Sequence, residues 1–280
     1  MQYGFIIPRG DVETILEMAI EAEEAGWDGV FYWDGIYIES AGLMYDPWVI
    51  LAAMALQTKR VRLGAVLTPV SRRRPWKLAR ETVTVDHLSH GRLIVPVGLG
   101  ALEDGGFAKV GEATDRKVRA ELLDEGLEIL TGLWSGKPFH FQGKHYHLDE
   151  MTFQPRPVQS PRIPIWVVGA WPSMKSMQRV LRYDGLLPTK LTSSGNDNAM
   201  TPDDIRAMKA YIEDHRTLTT PFDIVWEGET PGDDRERASQ IVQPFIDAGI
   251  TWWTESRWFT EDIEAIRTRI RQGPPRTQAI

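Results

Sequence analysis

The segment 61–100 constrains the fold more than any other part of this sequence. It contains two apolar runs, at 61–70 and 93–100, with a basic loop and a helical stretch between them. Strands buried on both faces have near-continuous apolar runs, and parallel strands flanked by helices are buried in this way. Pro75 suits the first position of the intervening helix because the N–H that proline lacks would have no partner there. The segment therefore predicts a βαβ unit with a right-handed crossover.

The same alternation of strand and helix continues along the chain. Besides the two runs above, we predict strands at 3–7, 29–33, 165–168, 185–187, 222–226 and 250–254, each followed by a helix. Eight such units in 280 residues predict one α/β domain over 1–280, a (β/α)8 TIM barrel. An open doubly wound sheet would need a glycine-rich motif after its first strand, and 7–10 is not one. Residues 137–148 alternate around a Gln142–Gly143 turn, which predicts a β-hairpin inserted after the fourth strand and its helix.

Composition excludes several classes of protein. The net charge of −7 argues against general nucleic-acid binding, which needs a basic surface. The chain has no cysteine, so disulfides and thiolate metal sites are excluded. No apolar stretch approaches the roughly 20 residues of a membrane span, and the first residues do not resemble a signal peptide. We therefore expect a cytoplasmic protein with no membrane partner.

Active sites of TIM barrels lie at the carboxyl ends of the strands. The sequence places these candidates there: Asp34, the loop 68–74, the segment 98–103, the loop 169–173, Lys190, Glu227 and Trp252. Asp34 is either a functional acid or the cap of its loop, and Glu103 is a second candidate acid. The small residues of 169–173 precede a helix, where backbone N–H groups favour a phosphate.

Three other features of the sequence leave alternatives open. Lys190 could form a Schiff base with a carbonyl substrate, which would suit a phosphate-binding lyase. The arginines at 72–74 could bind an anion or be paired within the protein. The histidines at 140, 145 and 147 alternate on the predicted hairpin without a carboxylate at metal-site spacing, so we interpret them as a solvated strand face and predict no metal site.

Six segments together resemble the bacterial luciferase-like family of flavin-dependent oxidoreductases. They are GWDGVF at 26–31 followed by Trp33-Asp34, VRLGAVLTP at 61–69 followed by Arg74-Pro75, DHLSHGRL at 86–93, VGLG at 97–100, LDEGLEIL at 123–130 followed by Leu133-Trp134, and PIWVVGA at 164–170. Each segment alone is weakly specific, but the set is specific to the family. The resemblance covers most of 1–187, and the later strands match only in pattern.

The resemblance implies a fold, a cofactor and a set of binding residues. It implies a TIM barrel that forms a homodimer and acts on a small organic substrate with reduced FMN or with the deazaflavin F-420. Applied to this sequence, the cofactor-binding residues are Trp33, Ala65, Val66, Thr68, Gly98, Gly100, Gly169, Ala170, Trp171 and Ser173. A non-prolyl cis peptide is expected at Ala65–Val66, beneath the flavin ring. The apolar helix 47–57 is the expected dimer face.

One departure from the family affects the proposed chemistry. Many deazaflavin members have Asp-His where this chain has Asp34-Gly35, so their imidazole is absent. Asp34 and Glu103 are therefore the predicted catalytic residues. If Asp34 is functional, Asp34→Asn should keep the fold and lose turnover; if it caps a loop, asparagine should replace it at little cost. Oxygen insertion with FMN, hydride transfer with F-420, a Lys190 lyase and a non-catalytic flavin-binding protein remain open.

Overall fold

The computed structural model describes residues 1–192, 195–197 and 200–276. In these residues the strands are β1 Gln2–Ile6, β2 Gly29–Tyr32, β3 Arg62–Ala65, β4 Thr68–Pro69, β5 Val95–Gly98, β6 Pro138–Gln142, β7 His147–Thr152, β8 Ile165–Trp171, β9 Gly185–Thr192, β10 Gly195–Asp197, β11 Asp223–Gly228 and β12 Trp252–Glu255. The helices are α1 Val12–Glu24, α2 Pro47–Gln57, α3 Pro75–Leu88, α4 Arg116–Trp134, α5 Met174–Val180, α6 Pro202–His215, α7 Arg235–Ala248 and α8 Ile263–Arg271.

The parallel strands form a barrel, which confirms the predicted fold. The order is β3-β2-β1-β12-β11-β9-β8-β5-β4, and β3 and β4 are two parts of one interrupted strand. Leu63, before the interruption, pairs in parallel with Leu93, which joins the two ends of the sheet. Counting β3 and β4 together therefore gives the eight barrel strands that the sequence predicts. Within the described residues no helix is long and apolar enough to cross a bilayer.

Local sequence signals fix where the helices begin. The Asp11 carboxylate accepts the backbone N–H of Thr14, and the Asp46 carboxylate accepts those of Trp48 and Val49. These contacts satisfy N–H groups that the first helical turn leaves without partners. Proline occupies the first helical position of α2, α3 and α6, as the sequence predicts for α3.

The predicted hairpin is formed by β6 and β7, which pair antiparallel between α4 and β8. Its second strand is longer than predicted and ends at Thr152. The Glu125 carboxylate of α4 accepts the backbone N–H groups of Lys144, His145 and Tyr146 at the turn. The His145 ring also bonds Glu121 of α4 at 2.9 Å. These contacts hold the hairpin against the outside of the barrel.

The barrel interior is filled by aromatic and branched side chains. The inward cluster is Ile6, Phe31, Ile94, Trp166, Val225 and Trp252. Trp166 and Trp252 meet at a ring-centroid distance of 5.3 Å, and Phe31 lies 5.7 Å from Trp166. Inward positions of neighbouring strands form layers of this kind in TIM barrels. The layer closes the barrel below its mouth, so a ligand can enter only from the carboxyl ends of the strands.

Candidate functional site

A cavity of about 380 Å³ lies over this aromatic layer, at the carboxyl ends of the strands. Its lining residues are Val66, Leu67, Val168, Leu187, Pro188, Thr189, Val225, Trp226 and Glu227. We call it the mouth cavity. Most of these side chains are apolar, and Glu227 supplies the one carboxylate among the described residues that line it.

The floor of the mouth cavity is the interruption between β3 and β4. The non-prolyl cis peptide is Val66–Leu67, so the prediction of Ala65–Val66 was wrong by one residue. Ala65 is still paired with Tyr32 in the sheet, and the Val66 N–H donates to the Tyr32 carbonyl at 2.7 Å. The sheet ladder therefore continues through Val66, and the chain leaves it only at the next bond. Ala65 is fully buried, whereas Val66 and Leu67 line the cavity.

A second cavity of about 300 Å³ shares Leu67, Val168 and Thr189 with the first. We call it the side cavity; its other lining residues are Gly98, Leu99, Gly100, Ala101, Arg116, Leu123, Ala170, Ser176 and Arg179. A Cβ atom on Gly98 would lie 2.9 Å from Leu67 and 3.0 Å from Val168, so glycine leaves this space open. Three predicted cofactor-binding residues, Gly98, Gly100 and Ala170, thus meet here.

The loop after β8 is more occupied by the protein than predicted. The Ala170 N–H donates to Ser176 Oγ at 2.9 Å, and the Ser173 N–H donates to the Ala170 carbonyl at 2.8 Å. A Cβ atom on Gly169 would lie 2.3 Å from Leu186 and 3.1 Å from Val180. Glycine is therefore favoured at 169 because Leu186 of the neighbouring β9 and Val180 of α5 both pack closely on it. Trp171 lies 6.2 Å from the Tyr211 ring of α6.

Asp34 lies two residues after the end of β2, inside an ion cluster. Its side chain is 0% exposed, and it pairs with Arg72 at 3.0 Å and with Arg73 at 2.7 Å. Arg72 also pairs with Asp104, whose carboxylate accepts the backbone N–H groups of Ile36, Tyr37 and Gly106. Burial raises the pKa of Asp34, against the pull of Arg73 and Arg72. Both carboxylate oxygens of Asp34 are thus engaged within the protein.

Asp104 is a residue that the sequence reasoning missed, although it directly follows the predicted Glu103. Burial alone would raise its pKa, but the Arg72 hydrogen bond and three backbone N–H donors hold the pKa of Asp104 below its ordinary value. Glu103 itself is exposed on the loop before α4 and is not a lining residue of either cavity. The two predicted acids therefore do not meet: Asp34 is buried in the cluster and Glu103 faces outward.

Three other predicted residues, Trp33, Thr68 and Lys190, do not line either cavity. The Trp33 indole N–H donates to the Pro8 carbonyl at 2.8 Å, and its ring meets Trp258 edge-on at 6.2 Å. Thr68 is fully buried, and its hydroxyl has no hydrogen-bond partner within the described residues. Lys190 pairs with Asp204 of α6 at 2.8 Å and is not a lining residue either.

Position 35 is crowded by the side chains of Trp33 and Met44. A Cβ atom on Gly35 would lie 2.6 Å from Met44 and 2.6 Å from Trp33. A larger residue here would have to displace both side chains. The departure from Asp-His at 34–35 is therefore built into the packing of the β2–α2 loop.

Comparison with known proteins assigns the family. The family model described as luciferase-like monooxygenase matches residues 4–276, nearly the whole chain. The chain belongs to the luciferase-like monooxygenase family. This match confirms the family and the class of enzyme that the sequence resemblance implies.

Similar proteins with named activities include users of each of the two predicted cofactors. An F-420-dependent glucose-6-phosphate dehydrogenase of Nakamurella multipartita is 30% identical over 294 residues, which cover 92% of this chain and 84% of that protein. Several other curated relatives align over about half of their own length. An F-420-dependent secondary alcohol dehydrogenase, solved with an F-420–acetone adduct, superposes with a TM-score of 0.77 at 18% identity, covering 98% of each chain.

The solved structures that resemble this fold also include an FMN enzyme. The oxygenating component of 3,6-diketocamphane monooxygenase from Pseudomonas putida, solved with FMN, superposes with a TM-score of 0.64 at 17% identity and covers 87% of this chain and 71% of that one. At such identities the two structures establish the fold alone. The choice between the two cofactors therefore depends on the cavities of this chain and on its similarity to the Nakamurella multipartita protein.

Proposed function

We propose that this protein is an F-420-dependent oxidoreductase, which transfers a hydride between the deazaflavin and a small organic substrate in the mouth cavity. The observation that carries the proposal is the joined pair of cavities at the barrel mouth, one apolar and one with arginines. The relative aligned over 92% of this chain is named as F-420-dependent, which favours F-420 over FMN. The cofactor supplies the redox chemistry, and the protein supplies binding, orientation and exclusion of water.

The residues present fit such a cofactor. The ring would lie over Val66 and Leu67, where apolar side chains exclude water, and the phosphate would lie in the side cavity near Gly98 and Ala170. Arg116 lines that cavity, is exposed, and has no hydrogen bond or ion pair to any described residue. A free guanidinium favours phosphate because several N–H donors point in one plane. We therefore place the phosphate nearer to Arg116 than to the backbone of 169–173, whose Ala170 N–H already has a partner.

The proposal is tested by titrating the pure protein with F-420 and, separately, with FMN, while following cofactor absorbance. We expect F-420 to saturate the protein at concentrations where FMN does not. Arg116→Ala should weaken F-420 binding by about 10- to 150-fold, because a hydrogen bond to a charged group contributes about 1.5–3 kcal/mol. The matched control is Arg156→Ala, an exposed arginine away from both cavities. Binding of FMN but not F-420 would overturn the proposal in favour of the monooxygenase branch.

The remaining alternatives have separate signatures. Borohydride trapping of a carbonyl compound on Lys190 would support the lyase, but the ion pair with Asp204 holds that side chain toward α6. A flavin-binding protein without catalysis would bind F-420 and transfer no hydride to or from any substrate.

We also propose a homodimer that forms through α2, in a chain that is one domain and cytoplasmic. Val49 and Leu56 of α2 are each 69% exposed, and the half-buried Ala52 and Ala53 lie between them. These positions lie on one side of the helix, so they form an apolar stripe. A second copy of the chain would cover this stripe.

A further inference from the structure

Glu227 reaches the mouth cavity because of its position on β11. Successive side chains of a strand point to opposite faces. Val225 belongs to the inward aromatic layer, and Trp226 points outward and stacks on Phe245 of α7 at 4.8 Å. Glu227 therefore points inward again, one step above the layer, and it lines the mouth cavity beside Val66 and Leu67.

A tryptophan from the next loop holds the Glu227 carboxylate in place. The Trp258 indole N–H donates to Glu227 Oε1 at 2.5 Å. The Trp258 ring rests edge-on against Trp33, and the Arg9 guanidinium donates to the Trp258 backbone carbonyl at 2.9 Å. Trp258 is thus fixed by two other parts of the barrel mouth and orients the carboxylate.

The carboxylate lies at the barrel mouth and is exposed to the cavity. Burial raises the pKa of Glu227, the Trp258 and Ser256 hydrogen bonds oppose the rise, and the charge of Glu229 adds to it. The nearby cations have other partners: Arg257 pairs with Glu229 and with Glu255. Lys190, on the neighbouring β9, pairs with Asp204. No cation is among the described residues that line the mouth cavity, so an anionic group placed there would face an unneutralised carboxylate.

Glu255, on the adjacent β12, has the contacts expected of a glutamate with a structural role. Its side chain is 0% exposed and pairs with Arg257 and Arg269. Thr230 donates to it from both its backbone N–H and its hydroxyl. Glu227 has no arginine partner within the described residues, and it is exposed to the cavity. A carboxyl group kept open in an apolar cavity is suited to proton transfer.

We propose that Glu227 is the catalytic residue that carries the substrate proton, and that the substrate is an uncharged alcohol or carbonyl compound. This inference rests on the proposed F-420 function. In oxidation, the alcohol O–H bond breaks and its proton passes to the Glu227 carboxylate. The C–H bond breaks at the same carbon, its two electrons and hydrogen pass as a hydride to the oxidised deazaflavin, and the C=O bond forms. Reduction is the reverse, with the proton returned by the Glu227 carboxylic acid.

The proposal also explains why Gly35 is tolerated. A side chain at that position would have to displace Trp33 and the end of Met44, and glycine supplies no proton carrier there. Glu227 supplies a carboxyl group to the mouth cavity from β11. Trp258 is a positioning residue, because it acts through Glu227.

The test uses the F-420-loaded protein, with acetone and 2-propanol as probes. The first measurement is infrared difference spectroscopy across a pH titration, without turnover. The parent should show a protonated-carboxyl band that titrates above the ordinary range of a glutamate and shifts when acetone is added. The band should be absent in Glu227→Gln and retained in Glu229→Gln, the control one residue after the end of β11, where it should titrate at lower pH because the Glu229 charge contributes to the raised pKa of Glu227. A band that titrates as an ordinary glutamate, or that acetone does not change, would overturn the proposal.

The second measurement is turnover. Glu227→Gln should bind F-420 within about twofold of the parent and lose at least about 100-fold in kcat, the usual contribution of a general acid–base group. In the parent, oxidation of 2-propanol should increase as the pH rises through the pKa of Glu227, and reduction of acetone should decrease. Trp258→Phe removes a donor that lowers this pKa, so both inflections should move to higher pH.

These outcomes separate the inference from the proposed function. Loss of F-420 binding by the parent itself would overturn both. F-420 binding with equal turnover in the parent and Glu227→Gln would overturn only the role of Glu227. If the parent turns over neither probe, the infrared titration decides.

Discussion

Substitution of Asp34 by asparagine distinguishes a structural role from a catalytic one. The change keeps the shape of the side chain but removes the charge that compensates two arginines. Removing one partner of a buried ion pair costs about 3–5 kcal/mol, because it leaves an uncompensated charge in the protein. Arg72 keeps its pairing with Asp104, and the Arg73 side chain is 17% exposed to solvent. We therefore expect a loss near the lower limit, about 3 kcal/mol of unfolding free energy.

The assay is thermal and urea unfolding of the parent and of Asp34→Asn at neutral pH. For a chain of this size, about 1 kcal/mol shifts the melting temperature by about 2–4 °C, so the variant should melt about 6–12 °C lower. Asp203→Asn is the matched control: that side chain is 89% exposed and pairs with Arg206 on the surface. An exposed pair contributes about 0–1 kcal/mol, so the control should melt close to the parent.

The result that would refute this reasoning is an Asp34→Asn protein that melts within about 2 °C of the parent. Loss of turnover at that unchanged stability would establish the catalytic role predicted from the sequence. Unchanged turnover and unchanged stability would show that the residue only caps its loop. The ion cluster predicts a third outcome, in which stability falls first and activity is lost only as far as the folded fraction decreases.

Two further predictions concern packing and assembly. Gly169→Ala should lower the free energy of unfolding by about 1–3 kcal/mol, because the added Cβ would meet Leu186 and Val180. The folded variant should bind F-420 as the parent does. In a urea titration, adding Leu186→Val should recover part of the lost stability. An unchanged midpoint would contradict the packing argument. Leu56→Glu should convert the proposed dimer to a monomer in light scattering. Leu218→Glu, at another exposed apolar position, should leave the dimer intact. A parent that is monomeric at micromolar concentration would exclude the dimer.

The sequence by itself determined the architecture. Apolar runs alternate with helical stretches at regular spacing, and the N-cap residues Asp11 and Asp46 and the first-position Pro75 mark where helices begin. These signals act between neighbours in the chain, so they can be recognised without knowing the fold. The same local character made the family segments recognisable between 26 and 170, and it predicted the hairpin from its turn at Gln142–Gly143.

The tertiary structure determined the role of each residue at a strand end. Asp34 and Glu227 both follow from the sequence as residues at strand ends, yet one is saturated by arginines and the other opens into the cavity. The difference depends on side chains far away in the sequence: Arg72, Arg73 and Asp104 surround the first, and Trp258 orients the second. Glycine at 169 likewise suggested a phosphate loop but is favoured by the close packing of Leu186 and Val180. Ion pairing and close packing depend on contacts between distant residues, and no local pattern encodes them.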